Sequence, residues 1–149
     1  MGHLTSKRVT AIVGRLNRGD RLPDGLLAVA RAHGVQAGRL EAIGAVTSLE
    51  VTEYDPAAQK YKNPLRREGM TEMLALLGNF SLRDGQVFAH LHFTGCHHEA
   101  GETRMIAGHL TAAEVFVCEF HITVYEDLKL VRQTDPQTGL ALWAIPEKE

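Results

Sequence analysis

The sequence predicts an α+β fold, a mainly antiparallel β-sheet packed with one clear helix. Three observations predict it. Only "LPDGLLAVARAHG" (22–34) repeats apolar residues at helical spacing. Strand-like apolar runs recur along the rest of the chain. Short turn signals such as "NRGD" and "RDGQ" separate them.

The elements follow in order. "RVTAIVGRL" (8–16) is a β-rich strand ending at the turn "NRGD". In the helix, Leu26, Val29, Ala30 and His33 recur at helical spacing, and Gly34 stands where a C-terminal cap belongs. Residues 38–55 form a strand interrupted by Gly44, which implies a bulge or a close backbone approach. "YKNPLRREG" (61–69) is a connection, and "TEMLALLGNFSL" (71–82) a buried strand. "RDGQ" supplies the Asp-Gly signal of a tight hairpin into "QVFAHLHFTG" (86–95). "RMIAGHL" (104–110) follows a loop, and "AEVFVCEFHITVYE" (113–126) is the cleanest strand. A last β-hairpin, 128–145, pairs "LKLVRQ" with "LALWAI". One domain spanning 1–149 is expected, since the chain shows no linker, repeat or low-complexity stretch and is long enough to bury a core.

Composition excludes several classes. The hydrophobic share is 44% and the charged share 23%, values of a globular protein. A net charge of −2 advertises no nucleic-acid or anionic-membrane surface, although Lys60, Lys62, Arg66 and Arg67 gather locally. Two cysteines, Cys96 and Cys118, make no disulfide framework, so a reducing cytoplasm is expected. No apolar run approaches the roughly 20 residues of a membrane helix. The first residues lack the apolar core of a signal peptide.

Five of the eight histidines fall within residues 87–110. Strand alternation puts Val87, Ala89, Leu91 and Phe93 on an apolar face. His90 and His92 then share the other face with Gln86, Phe88 and Thr94, their Cβ atoms about 7 Å apart. Two such imidazoles can converge on one ion. His109, on a strand able to return beside the first, would complete a three-histidine set with a position open to water or substrate. Gly108 removes bulk beside it. His97, His98 and Glu99 read as a solvent-exposed loop, His33 as a helix end and His3 as a terminus. His121 shares a strand face with Val117 and Glu119, where Glu119 can orient a histidine. Cys118 falls on the opposite, core face with Phe116, Phe120 and Ile122.

"GNFSLRDGQVFAHLHFTG", "AGHL" and "AEVFVCEF", in that order, resemble the PPC domain, the family conserved in plants and prokaryotes. "RLNRGDRLPDGLLAVARAHGVQAGRLEAIGAV" is similar to that family's opening, and the resemblance covers residues 8–127. It implies a subunit that assembles as a homotrimer. It also implies a bound metal, usually taken as zinc (Zn), on His90, His92 and His109. Ala107 departs from the family's Gly-Gly-His-Leu pattern, while the imidazoles stay in place. Arg15 matches an early arginine and Glu72 a carboxylate opening the strand before Gly-Asn; with Glu119 they are candidates to support the site. Plant members join this domain to a DNA-binding hook, Arg-Gly-Arg-Pro, which is absent from this sequence. DNA as a partner is thus not supported by charge or by motif. A cupin is rejected, because the glutamate expected soon after the His-x-His pair is replaced by Gly95, Cys96 and His97.

Three functions remain open on the sequence. The first is a metal-binding protein whose site binds or transforms a small molecule, as an enzyme or otherwise. The second is a DNA-associated regulatory module. In the third, the metal serves only to stiffen the fold.

Overall fold

The computed structural model describes residues 2–146. In chain order its elements are β1 (Val9–Leu16), β2 (Arg21–Leu22), α1 (Asp24–Ala32), β3 (Gly38–Thr52), β4 (Tyr54–Asp55) and β5 (Lys60–Tyr61). They continue with β6 (Leu65–Arg83), β7 (Gln86–Glu99), β8 (Glu102–Tyr125), β9 (Arg132–Thr134) and β10 (Ala141–Trp143). The strands are mainly antiparallel, as the sequence predicts, and α1 is the one helix among the described residues.

β8 organises the sheet. Its first third pairs with β7, its last third with β1, and most of its length with β3. The path β1–β8–β3–β6–β7 therefore returns from β7 to β8, and the sheet closes on itself. Closure removes most of the unpaired edge that an open sheet would expose. Alternation along each strand then fixes the inside. Leu40 and Val46 of β3, Phe80 of β6, Phe93 of β7 and Ile122 of β8 join one buried cluster, to which α1 adds Leu26 and Ala30. Each such side chain contributes roughly 1.5–3 kcal/mol by leaving water.

The punctuation behaves as its chemistry requires. After α1, the Val35 amide donates to the Ala30 carbonyl at 2.9 Å and the Gly34 amide to that of Arg31 at 3.1 Å, closing the last turn. Asp84 and Gly85 both adopt positive φ, 51° and 76°, the tight turn that joins β6 to β7. At Gly44 the chain comes so near β8 that an added Cβ would lie 2.0 Å from the Val117 carbonyl oxygen, and the register shifts between Ala42 and Gly44.

Three expectations are corrected. Residues from Leu65 onward are strand, not connection, because Arg66 and Arg67 lie in register with Glu50 and Leu49 of β3, and Arg66 pairs with Glu50 at 2.7 Å. The supposed loop at 97–99 is the end of β7, turned back by Ala100 and Gly101, and His97 is buried at 7% exposure rather than solvated. Phe116 leaves the core face because β8 slips register against β3 between Val115 and Val117, so Phe116 and Val117 both point outward. Cys118 is buried, as expected.

The C-terminal pair forms the small sheet β9–β10. It is anchored beside β6, where the Leu82 amide donates to the Leu130 carbonyl at 2.7 Å. No helix among the described residues is long and apolar enough to cross a membrane.

Candidate metal centre

The alternation that buries Leu91 and Phe93 turns His90 and His92 to the outer side of β7. β8 runs back alongside, and the antiparallel register sets His109 directly opposite His92. At Gly108 φ is +156°, and a Cβ there would lie 2.9 Å from the Thr52 carbonyl oxygen, so glycine lets β3 and β8 approach beside the histidine. The three rings gather with centroid separations of 4.9 Å (His90–His109), 5.0 Å (His90–His92) and 5.6 Å (His92–His109). The Nε2 atoms of His90 and His92 are 3.1 Å apart, and one ring nitrogen from each of the three lies within 4.8 Å of the others. A tetrahedral ion with bonds of 2.0–2.1 Å needs ligand nitrogens about 3.3 Å apart, so modest ring rotation closes the set.

The donor chemistry fits. Burial, then the neighbouring His109, Arg132 and His92, push the His90 pKa down to about 4. Burial, then His92 and Arg132, lower that of His109. Both rings are therefore neutral at neutral pH, the form with a lone pair to offer. The His109 Nδ1 is buried with no hydrogen-bond partner, an orphan of the kind that a bound ion satisfies. Among the described residues no fourth histidine, cysteine or carboxylate joins the group.

The surroundings hold a residue that the sequence did not point to. Arg132 of β9 reaches over the sheet, donating from Nε to Ser81 Oγ at 2.8 Å, from Nη2 to Asn79 Oδ1 at 2.8 Å and from Nη1 to the Ala141 carbonyl at 2.7 Å. Its Nη2 stands 3.5 Å from His90 Nδ1. Nothing in the local sequence marks it, because its position depends on a hairpin folding back across β6. The Tyr61 ring stacks near His109, centroids 5.1 Å apart. Between the β4–β5 hairpin and the β9–β10 pair lies a hollow of about 340 Å3, with His90, His109, Tyr61 and Arg132 in its wall.

The other candidates lie elsewhere on this chain. Arg15 of β1 faces Glu119 of β8 in register, and both are exposed. Glu72 of β6 lies opposite Cys96 and Ala45, also exposed. None of the three lines the hollow. His98 bonds Thr103 at 2.8 Å, and His97 sits 4.0 Å from the Glu99 carboxylate, away from the cluster. The local basic group is largely occupied: Lys62 pairs with Glu53, Arg66 with Glu50 and Arg67 with Glu99.

The chain resembles several solved structures over nearly its whole length. A metal-containing protein from Archaeoglobus fulgidus is 31% identical, with 96% of this chain and 97% of that one covered at a TM-score of 0.82. A plant- and prokaryote-conserved protein from Pyrococcus horikoshii is 26% identical, with 99% of each chain covered at 0.84. A candidate DNA-binding protein from Bacteroides thetaiotaomicron, 22% identical with 95% and 96% covered at 0.81, shares the fold. No curated protein matches. The model of the Plants and Prokaryotes Conserved domain matches residues 3–126, which include all three clustered histidines. The order of motifs, the fold and this match agree, and the chain belongs to the Plants and Prokaryotes Conserved domain family.

Proposed function

We propose that His90, His92 and His109 hold a divalent transition ion, zinc by preference for tetrahedral nitrogen ligands, with one coordination position open toward the hollow. The observation that carries this reading is the convergence of three imidazoles around one point, His90 and His109 among them held neutral, with the buried Nδ1 of His109 lacking a partner among the described residues. The metal-containing relative from Archaeoglobus fulgidus supports it. A fourth protein ligand would favour a merely structural ion; the set of three favours binding or turnover of a small molecule. Bound there, the ion supplies Lewis acidity and lowers the pKa of coordinated water. Carboxylate partners on Lys62, Arg66 and Arg67 weaken the DNA-associated reading, since phosphate contacts require free cations.

Three copies assemble in this reading. Support comes from the outer face, where Val13, Ile43, Leu74 and Val117 are exposed on neighbouring strands. Apolar residues so grouped mark an interaction surface.

Cobalt substitution tests the centre. The expected result is one cobalt per chain with the intense visible bands of a tetrahedral nitrogen-ligated ion, lost in His109→Ala. A weak octahedral spectrum that is the same in both proteins would remove the three histidines from the ligand set.

A further inference from the structure

The hollow beside the histidines carries a chemical preference. Its wall holds three cations, Lys60, Arg83 and Arg132, and no carboxylate among the described residues. Arg132 is the telling one. It forms no ion pair with any described acid; three of its five N–H donors are spent on neutral oxygens of Ser81, Asn79 and Ala141. Those bonds fix the guanidinium plane without neutralising it. One N–H remains on each terminal nitrogen, with the Nη2 donor passing His90 Nδ1 at 3.5 Å, too long for a strong bond. Among the described acids Arg83 has only Asp84 in reach, at 3.8 Å, and both guanidinium groups lie against the Phe88 ring, at 5.6 and 5.2 Å. A half-buried charge held rigidly, without an acidic partner among the described residues and facing open space, is a receptor waiting for an anion.

We infer that the hollow binds a small carboxylate, its oxygens taken by Arg132 while the rest of the molecule reaches the histidine cluster. This rests on the metal-site reading for what happens next to the anion, but the recognition itself does not need the ion. The volume of about 340 Å3 suits a small metabolite rather than a polymer. The guanidinium comes from the β9–β10 pair, beyond the residues 3–126 of the family match, so the specificity element and the histidine scaffold are separate parts of the chain.

Isothermal titration with propionate, succinate and inorganic phosphate tests this, with propionamide as the uncharged control. The expected result is saturable 1:1 binding of a carboxylate, no binding of propionamide, and affinity weaker by about tenfold or more in Arg132→Gln. Should Arg132→Gln not fold, Arg132→Lys keeps the charge but loses the fork, and weakened binding is again expected. Equal affinity in a folded Arg132 variant, propionamide binding as well as propionate, phosphate binding alone, or no saturable binding would each overturn the inference. Metal content measured on the same samples separates the two readings. Carboxylate binding by protein that is metal-free and takes up no zinc on titration keeps this inference and sinks the metal centre, whereas metal without carboxylate binding does the reverse.

Discussion

Burial and three cationic or ionisable neighbours hold His90 neutral down to about pH 4, while an unfolded chain protonates the same ring near 6.5. Between those values the unfolded state binds more protons, so folded stability rises with pH across the window. In metal-free protein, stability should therefore fall as pH drops from 6.5 toward 4, and His90→Asn should flatten that part of the profile. Urea midpoints at several pH values check this; identical profiles for both proteins would contradict it. His109→Ala removes one of the three proposed ligands from a half-buried position, so it should abolish stoichiometric metal binding while the protein still folds, as circular dichroism would show. Metal retained at one per chain would exclude His109. At this scale much was legible. The His-x-His alternation, the return of His109 and the buried Cys118 all follow from a period of two and a long enough connection. Arg132 was not legible, because a guanidinium 42 residues from His90 is placed by a tertiary fold-back and by no local pattern.

Among the elements, turn chemistry was the most readable. "RDGQ" announces its hairpin because Asp and Gly tolerate the positive φ that a two-residue turn demands. The second hairpin, through Ala100 and Gly101, was hidden: polar residues at 97–99 and 102–103 look like a loop, though they belong to the paired ends of β7 and β8. The same disguise covers the start of β6, where charged residues pair with β3. Phe116 was misplaced because a bulge shifts the alternation by one residue, and a strict period of two cannot foresee it. Gly44 shows the opposite case, an irregularity the sequence declared. Gly44→Ala would push a Cβ against the Val117 carbonyl in a backbone conformation that L residues avoid, and should cost on the order of 2–4 kcal/mol in chemical unfolding. A loss within a few tenths would mean that β3 and β8 can separate there freely.

The molecule as a whole is a closed sheet that turns two histidine-bearing strands outward and folds its C-terminal hairpin across them. One register row crosses it, from Val13 through His121, Glu41 and Leu77 to His92, so the proposed assembly face leads to the histidine cluster. Light scattering should give a mass three times 16.4 kDa, with Ile43→Asp shifting it toward the single chain. A monomer at every concentration would oppose the assembly. Zinc that binds only the folded state should raise stability by about 2.7 kcal/mol at a hundredfold excess over its Kd, and a chelator should reverse that rise.

The most direct measurement is elemental mass spectrometry of protein purified without a histidine tag or added metal. The account predicts about one transition ion, zinc foremost, per chain. Protein free of metal that also fails to take up zinc on titration would contradict it, leaving His90, His92 and His109 as polar residues of an assembly face.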